Sequence, residues 1–150
     1  REKRGLCYSI YAFHWSFADT GLFGVHVATG PDDVDELMTV VTDELERAVE
    51  DIDDNELKRA RAQLRAGLLM TLESPAARAG QIARQILLFG RIIPPDELIE
   101  KIAGITAADV RDLTGRLLSG SAPTLSMVGP ASGKMYRDRI AERFGAKIDA

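Results

Sequence analysis

The first thirty residues alternate in character in a way that indicates two β-strands. Residues 6–15 (LCYSIYAFHW) and 22–29 (LFGVHVAT) are rich in the β-branched and aromatic side chains that strands favour. The stretch SFADTG between them ends in turn-forming residues,. The pattern predicts an antiparallel hairpin with a loop of about five residues. Gly24 inside the second strand indicates a bulge or a close backbone approach.

After residue 30 the apolar spacing changes from two to three or four, which is typical of an α-helix,. Asp32 or Asp33 is a suitable N-cap for a first helix. The opposite face of this helix is charged, so one side is expected to be buried. The apolar stripe consists of Val34, Leu37, Met38, Val41, Leu45, Ala48, Val49 and Ile52.

Four further helices and a late strand are expected before the last helix. The start and stop signals are N-caps, helix-initiating prolines and terminal glycines. The helices are predicted over 56–73, from Ser74-Pro75 to Gly90, from Pro94-Pro95 to near Gly104, from a capping-box-like Thr106–Asp109 through Leu118, and over 132–144 with Gly145 at the end,. The apolar stretch PTLSMV at 123–128 predicts a third strand,.

Strands first, grouped helices and one returning strand predict the α+β class. We expect an antiparallel sheet backed by a bundle of helices, within a single domain over residues 1–150. Three strands are few for this length. The chain also starts with Arg1 and the charged stretch REKR rather than with Met. Both features indicate a fragment that lacks upstream strands.

Composition narrows the classes of function. A formal net charge of −4 argues against a nucleic-acid partner,. No apolar run approaches the roughly 20 residues of a membrane-spanning helix. The single cysteine, Cys7, excludes an internal disulfide and makes a zinc-thiolate cluster improbable,. Because Cys7 lies in an apolar run, we expect a buried and inert thiol.

The two histidines are candidates for metal binding. His14 and His26 lie on the two hairpin strands and could face each other, and Asp19 could add a carboxylate. A metal site needs three convergent ligands, and the sequence contains neither an H-E-x-x-H nor an H-x-x-E-H motif,. Structural or solvent-facing roles are therefore favoured, and no metal ligand is assigned.

Two other clusters have a structural and a functional interpretation. The acidic residues between 44 and 56 could attract a basic peptide, but a solvated helix end is the favoured interpretation. The aromatic residues Tyr11, Phe13, Trp15 and Phe17 could form core or an interface, and the sequence leaves both open,. On chemistry alone, Arg1 could clamp a carbonyl and Tyr8 could donate to an oxyanion, although a surface Arg and a core Tyr fit the same pattern.

Several stretches resemble the C-terminal half of pitrilysin-like (insulinase-type) zinc metallopeptidases. They are REKRGLCYSI, ADTGLFGVHVATG, ELKRARAQLRAGLLMTLESPAARAGQIARQILLFGRIIP and ITAADVRDLTGRLL, and they cover most of the chain. The nearest resemblance is to the subgroup that includes the mitochondrial processing peptidase and its bacterial relatives.

The resemblance implies two homologous halves that close like a clamshell, with zinc held by the N-terminal half. Arg1 and Tyr8 correspond to an Arg and a Tyr of the C-terminal half that close over the peptide. It implies that Arg1 and Tyr8 bind substrate, and that Tyr8 is also catalytic by polarising the scissile carbonyl. Expected partners are the zinc-binding half, a peptide substrate and a second copy in a homodimer, in the cytoplasm.

Three functions follow as alternatives. The first is the substrate-binding portion of a zinc metalloendopeptidase that cleaves extended peptides, inactive as this chain alone. The second is a non-catalytic scaffold or partner subunit of the same fold. The third is the substrate-binding chain of a two-chain peptidase whose zinc half is a separate polypeptide.

Overall fold

The computed structural model describes residues 1–119, 122–130 and 133–144 of the chain. They divide into two compact units, one of Arg1–Asp51 with the described residues from Arg111 onward, and one of Ile52–Val110. The described part contains a two-stranded antiparallel sheet and six α-helices. This confirms the α+β class, whereas a single domain over 1–150 stays a prediction.

The predicted hairpin forms at the start of the first unit. Strand β1 spans Ser9–Ser16 and β2 spans Gly21–Ala28, in a continuous register from the Ser9–Ala28 pair to the Ser16–Gly21 pair. Because no residue is left unpaired, Gly24 is not a bulge. It lies opposite Phe13, and a Cβ at Gly24 would overlap the Phe13 ring. Gly24 therefore permits a close approach, made by a side chain.

Helix α1, Val34–Glu50, supplies the apolar side of the first unit's core. Leu37 packs with the buried Leu6 and Cys7, and the half-buried Val27 and Val40 lie against this cluster. Pro31–Asp33 forms a 3₁₀ turn before the helix. Asp33 takes the N-cap position without a side-chain capping bond. The predicted stripe is too long by Ile52, because the helix ends at Glu50.

Helix α6, Gly133–Arg143, is joined to α1 by ion pairs. Arg139 lies 3.3 Å from Asp35, and Arg143 lies 2.8 Å from Asp43 and also pairs with Glu46. Tyr136 and Ala141 of α6 are buried. The prediction of a helix over 132–144 is confirmed for the described residues, and its proposed end at Gly145 lies outside them.

The second unit contains α2 (Asp54–Leu72), α3 (Pro75–Phe89) and α4 (Pro95–Gly104), and the unit boundary falls within α5 (Ala107–Ser119). Their ends follow the predicted local signals. Ser74 caps α3 by accepting from the Ala77 amide, and Gly90 ends it at a φ of 68°. Thr106 and Asp109 form a reciprocal capping box at α5,. Helix α2 begins two residues earlier than predicted, because Asp53 caps it.

The predicted strand over 123–128 is wrong. Residues 122–128 have no regular secondary structure, and within the described residues the sheet consists of β1 and β2 only. Val128, at the end of the predicted strand, is fully exposed. A strand exists only when a neighbouring backbone accepts and donates its hydrogen bonds. The apolar pattern of PTLSMV cannot supply that neighbour.

None of the described helices is both long enough and apolar enough to cross a bilayer.

Candidate functional site

Arg1 and Tyr8 lie at the two ends of a segment that leads into β1. The Gly5 amide donates to the Arg1 carbonyl at 3.1 Å, which closes a turn. Gly5 has a φ of 68°, in the left-handed region that favours glycine,. At the other end, the Tyr8 amide donates to the Ala28 carbonyl at 2.8 Å and extends the hairpin by one bond.

The middle of this segment is anchored in the core. Leu6 and Cys7 are both 7% exposed and pack against Leu37 of α1. The Thr29 hydroxyl donates to the Leu6 carbonyl at 2.6 Å. Cys7 is a buried free thiol, which confirms its predicted burial. The backbone leading to Tyr8 is therefore held by packing and by hydrogen bonds.

The side chains of Arg1 and Tyr8 are exposed. Tyr8 is 79% exposed, and the Arg1 side chain is 60% exposed and pairs with Glu2 at 2.8 Å. No hydrogen bond joins Arg1 to Tyr8 among the described residues. The structure thus places both predicted site residues on the surface beside an anchored backbone. Both can donate hydrogen bonds to an external acceptor.

The two histidines do not form a site. His14 lies opposite Phe23, and His26 lies opposite Tyr11. Since successive strand residues point to opposite faces, this register puts the two imidazoles on opposite faces of the hairpin. Among the described residues, no group of three His, Cys, Asp or Glu side chains could hold a metal ion. A metal site with Asp19 would need both imidazoles on one face of the hairpin, and the register separates them.

One face of the hairpin carries an aromatic row, which we define as Tyr11, Phe13, Trp15 and His26. Tyr11 stacks on His26 with centroids 4.9 Å apart, and the Phe13 ring lies 5.4 Å from Trp15 and 6.2 Å from Tyr11. Tyr11 and Trp15 are 54% and 58% exposed, so this row is not core in the described structure.

The acidic residues between 44 and 56 perform local tasks. Asp53 caps α2, Glu44 pairs with Arg47, and Glu46 pairs with Arg143. This supports the interpretation of a solvated helix end over that of a peptide site.

The chain is similar in sequence to known zinc proteases. The family model described as Peptidase M16 inactive domain matches residues 1–64. An uncharacterized zinc protease from Streptomyces coelicolor is 37% identical over 135 residues, which is 89% of this chain and 29% of that protein. Residues 1–64 of this chain are thus similar to a peptidase M16 domain. This confirms the resemblance to the C-terminal half of these zinc metallopeptidases.

Other similar proteins include a subunit of the mitochondrial processing peptidase. The mitochondrial-processing peptidase subunit beta from Neurospora crassa is 34% identical over 140 residues, covering 93% of this chain and 29% of that protein. A chain in the structure of complex III2 from Candida albicans matches with a TM-score of 0.65 and 29% identity, over 70% of this chain and 25% of that chain. This chain thus spans less than a third of the length of these similar proteins.

Proposed function

We propose that this chain is the substrate-binding, non-zinc portion of a zinc metalloendopeptidase that cleaves extended peptides. The observation that carries the proposal is the match of residues 1–64 to an M16 domain, together with an exposed Tyr8 on an anchored backbone. Relatives named zinc proteases support peptidase activity for the complete protein.

In this proposal, Tyr8 and Arg1 act on two carbonyls of the bound peptide. The Tyr8 hydroxyl donates to the scissile carbonyl oxygen and stabilises the negative charge that develops there. The Arg1 guanidinium holds a second backbone carbonyl and so fixes the peptide's position. Tyr8 contributes mainly to the rate because its hydrogen bond strengthens as charge develops, whereas Arg1 contributes mainly to binding.

The described residues do not fit the zinc that the family implies, because no group of three suitable ligands comes together in them. A catalytic zinc site needs three protein ligands and keeps a fourth position open for water or substrate. We therefore propose that the metal belongs to a separate, N-terminal half that pairs with this chain, and we assign this chain no step at the metal.

Replacing Tyr8 tests the proposed role directly. In the complete protein, Tyr8→Phe should lower kcat by about a hundred- to a thousandfold with little change in KM, because one donor to the developing oxyanion is lost. Tyr11→Phe is the matched control, since Tyr11 is also an exposed tyrosine at the start of β1. Steady-state kinetics on a fluorogenic peptide give both constants. Unchanged turnover in Tyr8→Phe would remove Tyr8 from the mechanism.

Arg1→Ala should mainly raise KM, because the guanidinium is proposed to hold the peptide before and during reaction. Arg4→Ala is the control, because Arg4 is a nearby exposed arginine that pairs with Glu36. The same peptide assay measures both variants. A KM equal to that of the unaltered protein would contradict the role of Arg1.

A scaffold subunit is the second candidate function. The matching family model is described as an inactive domain, and one similar structure is a chain from complex III2.

The name "subunit beta" of another relative favours a two-chain peptidase. An H-x-x-E-H motif in the rest of the polypeptide would select the one-chain peptidase. Sedimentation gives the mass of the native complex, which would distinguish the one-chain peptidase from the two-chain enzyme. The same mass would test the proposed homodimer. Cell fractionation tests the proposed cytoplasmic location.

A further inference from the structure

The end of β2 holds the backbone before Tyr8 at two consecutive residues. The Ala28 carbonyl accepts from the Tyr8 amide at 2.8 Å. The next residue, Thr29, donates its hydroxyl to the Leu6 carbonyl at 2.6 Å. Its alternative acceptor, the Gly30 carbonyl, is farther away at 3.4 Å. A hydroxyl has one hydrogen to donate, and the shorter distance favours the bond to Leu6.

These two bonds determine the orientation of the peptide groups on either side of Cys7. Each peptide group is planar, so a bond to the Leu6 carbonyl orients the Leu6–Cys7 plane, and a bond from the Tyr8 amide orients the Cys7–Tyr8 plane. Cys7 itself is buried and cannot shift freely. The direction in which the Tyr8 side chain leaves the backbone is therefore fixed, although the side chain is exposed.

We propose that Thr29 is a positioning residue for Tyr8. The inference rests on the proposed function, because it assigns Thr29 a role through the Tyr8 hydroxyl. Losing the Thr29 hydroxyl releases the Leu6–Cys7 plane, and the phenol then samples directions away from the scissile carbonyl. The residue pattern does not distinguish Thr29 as a functional residue. Its one sequence signal is its place at the end of the predicted second strand, residues 22–29.

The experiment uses kinetics of the complete protein. Thr29→Val removes the hydroxyl and keeps the branched shape, and it should lower kcat about tenfold with KM unchanged, because small misplacements of a reacting group are costly in rate. Thr29→Ser keeps the hydroxyl and should restore kcat to within about twofold. Thr39→Val is the matched control. Thr39 donates to the Asp35 carbonyl inside α1 at 3.0 Å, and its loss should leave kcat and KM unchanged.

A double variant distinguishes positioning from general weakening of the fold. If Thr29 acts through Tyr8, Thr29→Val should cause little further loss of kcat in a Tyr8→Phe background, because the group to be positioned is already gone. A merely structural role would lower kcat by the same factor in both backgrounds, and that result would overturn the inference.

The outcome also distinguishes this inference from the proposed function. If Tyr8→Phe leaves kcat unchanged, the proposed function fails, and the inference fails with it. If Tyr8→Phe lowers kcat while Thr29→Val behaves like Thr39→Val, only the inference fails. If Thr29→Val does not yield folded protein, Thr29→Cys replaces it under the same criteria, since a thiol of similar size is only a weak donor.

Discussion

The Glu97 carboxylate pairs with two basic side chains. Arg91 donates from both terminal nitrogens to Glu97 at 2.8 and 2.6 Å, and Lys101 lies 3.0 Å from the same carboxylate. The hydrogen bond from Arg91, and then that from Lys101, lower the pKa of Glu97 from 4.5 to about 2. This cluster joins the turn after α3 to α4 within the second unit.

The Glu97 cluster predicts a specific dependence of stability on pH. Because the folded pKa of Glu97 lies below its ordinary value, its contribution is complete above about pH 4.5 and disappears as the pH falls towards 2,. Glu97→Gln should therefore lower the melting temperature at pH 6 but have little effect near pH 2. Asp96→Asn is a control in the same first turn of α4. A Glu97→Gln effect that is equal at both pH values would contradict the assignment.

At the scale of elements, helix ends in the second unit were predictable from neighbouring residues. Thr106 and Asp109 exchange hydrogen bonds at 2.8 and 3.1 Å between side chains and backbone amides. The Thr106 hydroxyl, which donates to the Asp109 carboxylate at 2.6 Å, and then the Thr106 amide lower the pKa of Asp109. All partners lie within four residues of one another, so the sequence alone contains the whole motif.

The capping box predicts a measurable loss of stability on removal of its hydroxyl. Thr106→Val should lower the free energy of unfolding by about 1 kcal/mol, because the Asp109 amide loses its acceptor at the helix start. Urea denaturation measures the difference. In the control Ser119→Ala, the lost hydroxyl donates to the Gly115 carbonyl inside α5, and the expected change is within about 0.5 kcal/mol. Equal losses in both variants would contradict a special role of the cap.

At the scale of the whole molecule, the chain aligns with less than a third of the length of each of two zinc-protease relatives. Arg1 and Tyr8 can donate hydrogen bonds, but the described residues contain no group of three His, Cys, Asp or Glu side chains that could hold a metal ion. In the proposed function, chemistry requires a second half that holds zinc. Catalysis then belongs to the assembled molecule, and this chain supplies substrate contacts.

The isolated 150-residue chain should therefore show no peptidase activity. The reason is that a general acid-base or metal centre is needed to activate water, and we propose that both belong to the other half. The measurement is cleavage of a fluorogenic peptide with and without a chelator, beside the complete protein as the positive control. Chelator-sensitive cleavage by the chain alone would overturn the division of labour proposed here.

Features that depend on residues close together in the chain can be predicted from the sequence alone. The hairpin, α1, the Ser74 and Thr106 caps and the glycine end at Gly90 were all predicted. Local hydrogen bonds and short turns explain this success, because helices pair backbone groups only four residues apart. The resemblance to the M16 family also came from the sequence.

Features that depend on contacts between residues far apart in the chain become visible in the tertiary structure alone. Register put His14 and His26 on opposite faces, and residues 122–128 did not form the predicted strand. The bond between Thr29 and the Leu6 carbonyl joins residues 23 apart in the chain. Strand pairing and such contacts require two segments to meet in space, and the residue pattern of either segment alone does not specify which partner it meets.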